Sequence, residues 1–327
     1  MAPPLLEIRN LEITFGVEGK TLHAVDGVSL AVEQGRTLGI VGESGCGKSV
    51  TAHAVLRLVP SPPGRIDKGE ILWKGRDLLG LSAREMTAVR GTEIAMIFQD
   101  PMTSLNPVMS VERQMGEILR RRYGIKGAAA HQRLLAVLGD VGIGDAERRL
   151  DNYPHELSGG MKQRIMIAMA LLHEPELLIA DEPTTALDVT IQKQILHLMR
   201  ELKSRRNMAL VLITHDLGVV AETCDDVAVM YAGRVVERAP IVELFEHPRH
   251  HYTRGLLASI PRRGLDKSTP LPTIEGTVPA LFSRPVGCRF ADRCGRAEAR
   301  CRTEDPAMQP VGTGHEVACH FPAEAPL

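Results

Sequence analysis

The stretch Val41-Gly42-Glu43-Ser44-Gly45-Cys46-Gly47-Lys48-Ser49 decides the fold. It follows the apolar run Leu38-Gly39-Ile40 and leads into a helix-like run from Val50 to Val59. G-x-x-x-x-G-K-S between a strand and a helix is the setting of a phosphate-binding loop. Glycines let successive backbone N–H groups turn toward an anion. The helix that follows points its positive end at the same place. Lys48 adds a point charge for the outer phosphates, and the Ser49 hydroxyl suits Mg²⁺. A glycine-rich turn with a chance lysine is the plain alternative, and the motifs further along the chain weigh against it.

Two buried runs end in polar side chains. Leu177-Leu178-Ile179-Ala180 runs into Asp181-Glu182-Pro183, and Met208 to Thr214 runs into His215-Asp216. Short continuous apolar runs suit central parallel strands buried on both faces. The C-terminal ends of such strands are where open α/β sheets bind ligands. Adjacent strand residues point opposite ways, so Asp181 and Glu182 can take different tasks, one holding Mg²⁺ and one polarising a water. His215 alone would more often be structural. A third run, Glu93 to Phe98, ends in Gln99, followed by the proline-bounded loop Asp100 to Pro107. Ser158-Gly159-Gly160 precedes a long helical run; Ser158 is a natural N-cap, and the glycine pair leaves that helix start open to an anion.

Elsewhere, residues 5–40 largely alternate polar and apolar positions around Gly19-Lys20, which predicts antiparallel strands joined by a turn. Two readings stand for Phe15: stacking on a nucleotide base, or a half-buried strand aromatic. Gly69–Trp73 reads as a strand and residues 227–237 as a hairpin, and residues 108–150 read as mostly helical. Within that helical section Arg120-Arg121-Arg122 reads as a solvated face. With 39 Lys+Arg against 40 Asp+Glu and 3% aromatics, nothing favours nucleic acid as the main partner. No apolar run reaches the length of a membrane span, and the first residues lack the basic-then-apolar pattern of a signal peptide.

After Pro240 the texture changes. A His- and Pro-containing stretch, 247–261, is followed by a Pro/Gly-rich segment and then by Cys288, Cys294, Cys301 and Cys319. Their spacing, C-x5-C-x6-C-x17-C, lacks the paired C-x2-C common to zinc sites. Four thiolates hold either Zn²⁺ or a [4Fe–4S] cluster.

Together these stretches resemble the ATP-binding cassette (ABC) ATPases, in family order from the phosphate loop through Gln99, the segment Leu157–Arg164, Asp181-Glu182, Ala186-Leu187-Asp188 and His215. The closer resemblance is to the ATPase subunits of bacterial oligopeptide/dipeptide importers, carried by Gln99–Pro107, by 247–261 and by the cysteine tail. Met161 stands where the cassette signature usually has Gln, as it often does in this group, and His251 stands where the importer pattern commonly has Pro.

The resemblance implies an α/β fold. A P-loop nucleotide-binding domain is expected over residues 1–240, with a RecA-like core, an antiparallel β subdomain and a helical subdomain at about 100–165. A small irregular C-terminal domain is expected over 241–327. It implies that Gly42, Ser44, Gly45, Cys46, Gly47, Lys48, Ser49 and Val50 hold the phosphates of ATP, the Cys46 side chain mattering little because the cradle is backbone. Ser49, Gln99 and Asp181 would complete the Mg²⁺ sphere. Glu182 would be the general base, with His215, Lys48 and Gln99 beside the reacting phosphate, and Asp188 among the nucleotide-binding residues. Ser158, Gly159 and Gly160 would touch ATP on a second, homologous ATPase subunit. It further implies two transmembrane permease subunits, an extracytoplasmic solute-binding protein, no nucleic acid, and a peripheral place on the cytoplasmic face of the inner membrane. For Cys288, Cys294, Cys301 and Cys319 it favours the [4Fe–4S] cluster over Zn²⁺. The rival readings are an importer for nickel, glutathione or another small solute, a soluble ABC ATPase acting on ribosomes or DNA, and an iron–sulfur sensor that uses ATP as a regulator.

Overall fold

The computed structural model describes residues 3–99, 104–185, 187–261, 272–279, 281–282 and 285–324. It divides into two compact units, Met1–Leu81 with Leu212–Leu327, and Ser82–Val211.

The first unit holds an antiparallel sheet in which β1 (Leu6–Val17) lies between β2 (Lys20–Val32) and β4 (Gly64–Trp73), with β5 (Arg76–Asp77) beyond β4. The alternation of β1 slips once. Leu6 and Ile8 are buried, then Leu11 and Ile13, with Arg9 and Asn10 exposed between them. The pairing with β2 shifts register at the same place, and Asn10 has φ 46°. An extra residue in a strand flips the following side chains to the other face unless the ladder bulges, and this bulge keeps the apolar side inward.

The same unit carries β3 (Thr37–Val41), buried at every position and parallel to β9 (Asp226–Tyr231). β9 turns through Ala232-Gly233, φ 45° and 85°, into antiparallel β10 (Arg234–Pro240). Two positive φ values in a two-residue loop match the twist of a hairpin. Beyond β10 pairs β12 (His315–Val317), itself paired with β11 (Gln309–Gly312), so residues near the C-terminus extend this sheet. Glu237 on β10 is fully buried and satisfied: its carboxylate accepts from Arg249 N (2.6 Å), His250 N (2.9 Å) and His315 Nε2 (2.8 Å). A buried carboxylate is tolerable only with such partners, and these tie the segment after Pro240 onto the sheet.

The second unit pairs β6 (Ile94–Ile97) with β7 (Leu177–Asp181) in parallel and also holds six helices among the described residues. These are α2 (Ala83–Val89), α3 (Val111–Tyr123), α4 (Gly127–Asp140), α5 (Ala146–Asp151), α6 (Gly159–Leu171) and α7 (Val189–Arg206). Arg120, Arg121 and Arg122 form the last turn of α3, where cations complement the helix dipole. Arg121 pairs with Glu117 at 2.5 Å and Arg122 donates to Ala88 O at 2.8 Å, so the basic run closes a helix end. Strand β8 (Ala209–Ile213), buried throughout, crosses the division between the units. Among the described residues no helix is long and apolar enough to cross a membrane.

Candidate nucleotide site

In the first unit the phosphate loop leaves β3 at Val41 and ends at α1 (Lys48–Val55). Two glycines are fixed by space as well as by angle. Gly42 has φ 150°, and a Cβ there would stand 2.1 Å from Met230 O and 2.9 Å from Cys46 Sγ. Gly47 has φ 100°, and a Cβ there would stand 2.4 Å from Ala24 O. Gly47 is also the N-cap of α1, and no side chain caps that helix. Uncapped N–H groups at a helix start are the donors an anion uses. Lys48 is buried, its Nζ donating to Gly42 O (2.8 Å) and Glu43 O (3.0 Å), so its charge rests on the loop's own carbonyls. Cys46 is fully buried and fills the space beside Gly42 where a side chain would otherwise go; burial pushes its thiol pKa up. Ser44 and Gly45 lie exposed at the mouth, and Ser49 and Val50 are half-buried.

His215 is exposed just past β8, and the preceding Thr214 N donates to Ile40 O of β3 at 3.3 Å, which aligns that chain end with the start of the loop. Asp216 accepts from Gly218 N at 2.8 Å and caps α8 (Leu217–Thr223), which fixes the backbone next to His215. Phe15 is half-buried near the end of β1 and is paired with Gly64 of β4, where a Cβ would stand 2.8 Å from Phe15 Cε1.

In the second unit the parallel register sets Ile97 opposite Ala180, so Gln99 and Glu182, each two residues on, come side by side. Gln99 Nε2 donates to Glu182 Oε2 at 3.2 Å, and Thr185 Oγ1 donates to the same oxygen at 2.9 Å. Glu182 has φ 46°, a left-handed conformation that non-glycine residues seldom adopt and that clusters at functional positions. Asp181, at the end of β7, is buried. Ser158 caps α6 by accepting from Met161 N at 3.4 Å. Gly160 answers to packing: a Cβ there would stand 2.8 Å from Ile191 Cγ2 on α7, a reason for the second glycine that capping alone does not give. Asp188 caps α7, its Oδ1 accepting from Ile191 N at 3.0 Å.

Residues 25–185 match the ABC transporter family, and residues 236–301 match the C-terminal region of oligopeptide/dipeptide transporters. A probable peptide ABC transporter ATP-binding protein of Sinorhizobium fredii is 55% identical over 96% of this chain and 94% of its own length. The dipeptide transport ATP-binding protein DppD of Escherichia coli is 48% identical over 98% of this chain and 97% of its own. The chain belongs to the ATP-binding proteins of ABC transporters, oligopeptide/dipeptide type. Solved structures agree. A dimeric bacterial ABC transporter cassette superposes with TM-score 0.65 at 26% identity, covering 72% of this chain and 98% of its own. The same cassette bound to ADP and Pi in a post-hydrolysis state gives TM-score 0.64 at 26% identity, with the same coverage. The expected α/β fold of an ABC nucleotide-binding domain with an added C-terminal region is the one found.

In the C-terminal region of this ABC ATPase, Cys288, Cys294, Cys301 and Cys319 line one small cavity with His250, His251 and His320. Yet among the described residues no three Cys, His, Asp or Glu are grouped so as to hold a metal ion, so the expected [4Fe–4S] cluster or Zn²⁺ gains no support from the side-chain arrangement. Burial raises the thiol pKa of Cys288 and Cys294 and pushes that of Cys319 up to about 11; a bound metal would lower all three again. Sequence reading passed over Thr185, Glu43 and Tyr252. Thr185 had a local signal, three residues after Glu182 in a turn. Glu43 is an unspecified letter inside the loop motif, and its N–H donates to Tyr252 OH, 209 residues away, at 2.9 Å.

Proposed function

We propose that this ABC ATPase powers the uptake of dipeptides and oligopeptides by hydrolysing ATP held between the phosphate loop of one subunit and the Ser158–Gly160 helix start of a second. The carrying observation is that similarity to relatives named for peptide, dipeptide and oligopeptide transport runs through both the cassette and residues 236–301. In this reading Gly42–Ser49 supply backbone donors to the phosphates and Lys48 exchanges its loop carbonyls for phosphate oxygens. Ser49, Gln99 and Asp181 hold the Mg²⁺ of the nucleotide. Glu182, shaped by Gln99 and Thr185, takes a proton from the attacking water, and His215 steadies the γ-phosphate. Phosphoryl transfer to water asks mainly for positioning and charge neutralisation, which this set provides. Asp188 caps α7, whose Ile191 packs on Gly160 at the start of α6.

The partners in this reading are a homologous second ATPase, two permease subunits and a solute-binding protein, with the chain peripheral on the cytoplasmic side of the membrane. By residue type alone the four cysteines suit a structural [4Fe–4S] cluster or Zn²⁺; iron, sulfide and zinc analysis of protein isolated without oxygen separates the two, and protein free of all three removes both. The test of function is uptake of a labelled dipeptide by the intact transporter isolated from membranes and returned to vesicles. Uptake that needs ATP and vanishes with Lys48→Ala supports the reading. Uptake at full rate with Lys48→Ala, or uptake of nickel with no peptide uptake, overturns it.

A further inference from the structure

The phosphate loop is gripped from outside the nucleotide-binding fold. Arg293 lies in the short turn Ala291–Arg293, in the segment bracketed by Cys288 and Cys294. Its guanidinium reaches Glu43, the residue after Gly42, in a two-pronged ion pair: Nη1 to Oε2 at 2.7 Å and Nη2 to Oε1 at 2.9 Å. Every other donor of the group is also engaged, Nε with Glu275 O (2.9 Å), Nη2 with Ile274 O (3.2 Å) and Nη1 with Tyr231 OH (3.3 Å). The Arg293 side chain is only 6% exposed. Beneath it Tyr231, Tyr252 and Phe290 form one aromatic cluster, with ring centroids 4.6 to 5.4 Å apart, and the guanidinium sits 5.7 Å from the Tyr231 ring centre.

Glu43 is thereby held at three points. Its carboxylate is forked by Arg293, its N–H donates to Tyr252 OH, and its carbonyl accepts from Lys48 Nζ. Of these only the third belongs to the loop itself. A surface arginine would add little, but a nearly buried, fully satisfied, bidentate pair holds one geometry. A loop already held in its binding shape loses less conformational entropy when the ligand arrives. The segment that carries Arg293 is itself fixed by backbone bonds: Cys288 N to Cys301 O (2.8 Å) and Arg293 N to Phe290 O (3.0 Å).

We propose that the C-terminal cysteine segment is a working part of the nucleotide site: Arg293, acting through Glu43, is a positioning residue that sets the phosphate loop for ATP. The inference rests on the reading of Gly42–Ser49 as the ATP site. Its consequence is that nucleotide affinity depends on a residue some 250 positions from the loop, so any change that shifts the Cys288–Cys294 segment is felt by ATP.

The test uses the full chain and equilibrium binding of a fluorescent ATP analogue, with thermal melting and hydrogen exchange of the 40–50 peptide on the same samples. Arg293→Met weakens binding about tenfold, the scale of one lost charge-assisted pair. In the assembled complex it raises KM for ATP in the same proportion and leaves kcat within about twofold, and in the chain alone it speeds exchange in the loop. Arg293→Lys keeps the charge without the fork and recovers part of the affinity. Glu43→Gln combined with Arg293→Met is no worse than either alone, because both remove one interaction. Unchanged affinity and loop exchange in a folded Arg293→Met protein, or affinity losses that simply add in the double variant, overturn the proposal. If Arg293→Met melts too early for binding to be measured, Arg293→Lys decides on the same criteria. Lys48→Ala separates the two readings. If it binds ATP as wild type does, the loop is not the site; if it loses ATP while Arg293→Met does not, only the positioning role fails.

Discussion

The phosphate loop and the Gln99–Glu182 pair are built from opposite parts of the residue. The loop works with backbone. Its side chains at 43, 44 and 46 are various, but Gly42 and Gly47 leave no room for a Cβ beside Met230 O and Ala24 O. The pair works with side-chain atoms delivered by strand register, and its backbone enters mainly through the left-handed φ of Glu182. A cradle of N–H groups uses side chains only to hold its shape, as Glu43 does through Arg293, whereas a base is defined by its atoms.

The largest effect is therefore expected where one atom changes in the side-chain half. Glu182→Gln keeps size and can still accept from Gln99 Nε2 and Thr185 Oγ1, but it cannot take a proton. Steady-state ATP hydrolysis falls about a hundredfold to ten-thousandfold, the range of a lost general base, while ATP binding stays within about twofold. Phosphate release and nucleotide binding measured together decide it. A rate near wild type removes Glu182 as the base and leaves the pair a structural contact.

The backbone half is probed by adding a methyl group. Gly42→Ala forces a Cβ to 2.1 Å from a backbone oxygen, so the loop must move; about 2–3 kcal/mol of stability and most ATP binding are lost. Gly45→Ala meets nothing within 4 Å and carries only the strain of φ 78°, about 1–2 kcal/mol, with ATP still bound. Equal losses in the two variants, read by urea unfolding and nucleotide titration, would mean that loop angle alone matters.

This division also explains what could be read in advance. The phosphate loop was legible because its function demands glycines at fixed spacing. Glu182 was legible as a carboxylate ending a buried run, and Gln99 as the end of another, but their hydrogen bond exists only because parallel pairing matches 97 with 180. The bulge at Asn10 was hidden, because the letters around it still alternate closely enough to pass for one strand. The grip of Tyr252 and Arg293 on Glu43 had no signal at all, since contacts across 209 and 250 residues leave no local pattern. The four cysteines read as one metal-ligand set; they line one cavity, but spacing carries no information on whether the thiols close around a metal.

The region after Pro240 resembles the side-chain half in its sensitivity to single atoms, and His250 shows it through pH. His250 is buried, and its Nδ1 accepts from Tyr252 N at 3.1 Å, so that nitrogen must be unprotonated. Burial lowers its pKa from 6.5 to about 4, against the opposing charge of Glu237 and with a small contribution from His251 in the same direction. In the unfolded chain the same histidine takes its proton near pH 6.5. Between those values the unfolded state binds more protons, so stability is fully present above about pH 6.5 and falls by about 3 kcal/mol toward pH 4. Urea midpoints at pH 7.5 and 5 measure this, and His250→Gln flattens that part of the profile. An unchanged slope in the variant would assign the loss to other groups.

The smallest effect distinguishes two helix starts. No side chain caps α1, whereas Ser158 caps α6 and Asp188 caps α7 with single hydrogen bonds. Replacing either cap by Ala costs about 1 kcal/mol of stability. If capping were the only task of both residues, Ser158→Ala and Asp188→Ala would lower ATP turnover alike, and only as far as they lower the folded fraction. The proposed sandwich breaks that symmetry. The Ser158 hydroxyl would turn to a phosphate of the partner's nucleotide, so turnover in the assembled complex falls several-fold more for Ser158→Ala than for Asp188→Ala at matched stability. ATP binding to the isolated chain stays equal in both, because the phosphate loop that binds first contains neither residue. Matched turnover in the two variants would leave Ser158 a cap like Asp188 and would separate the glycine-bearing start of α6 from catalysis.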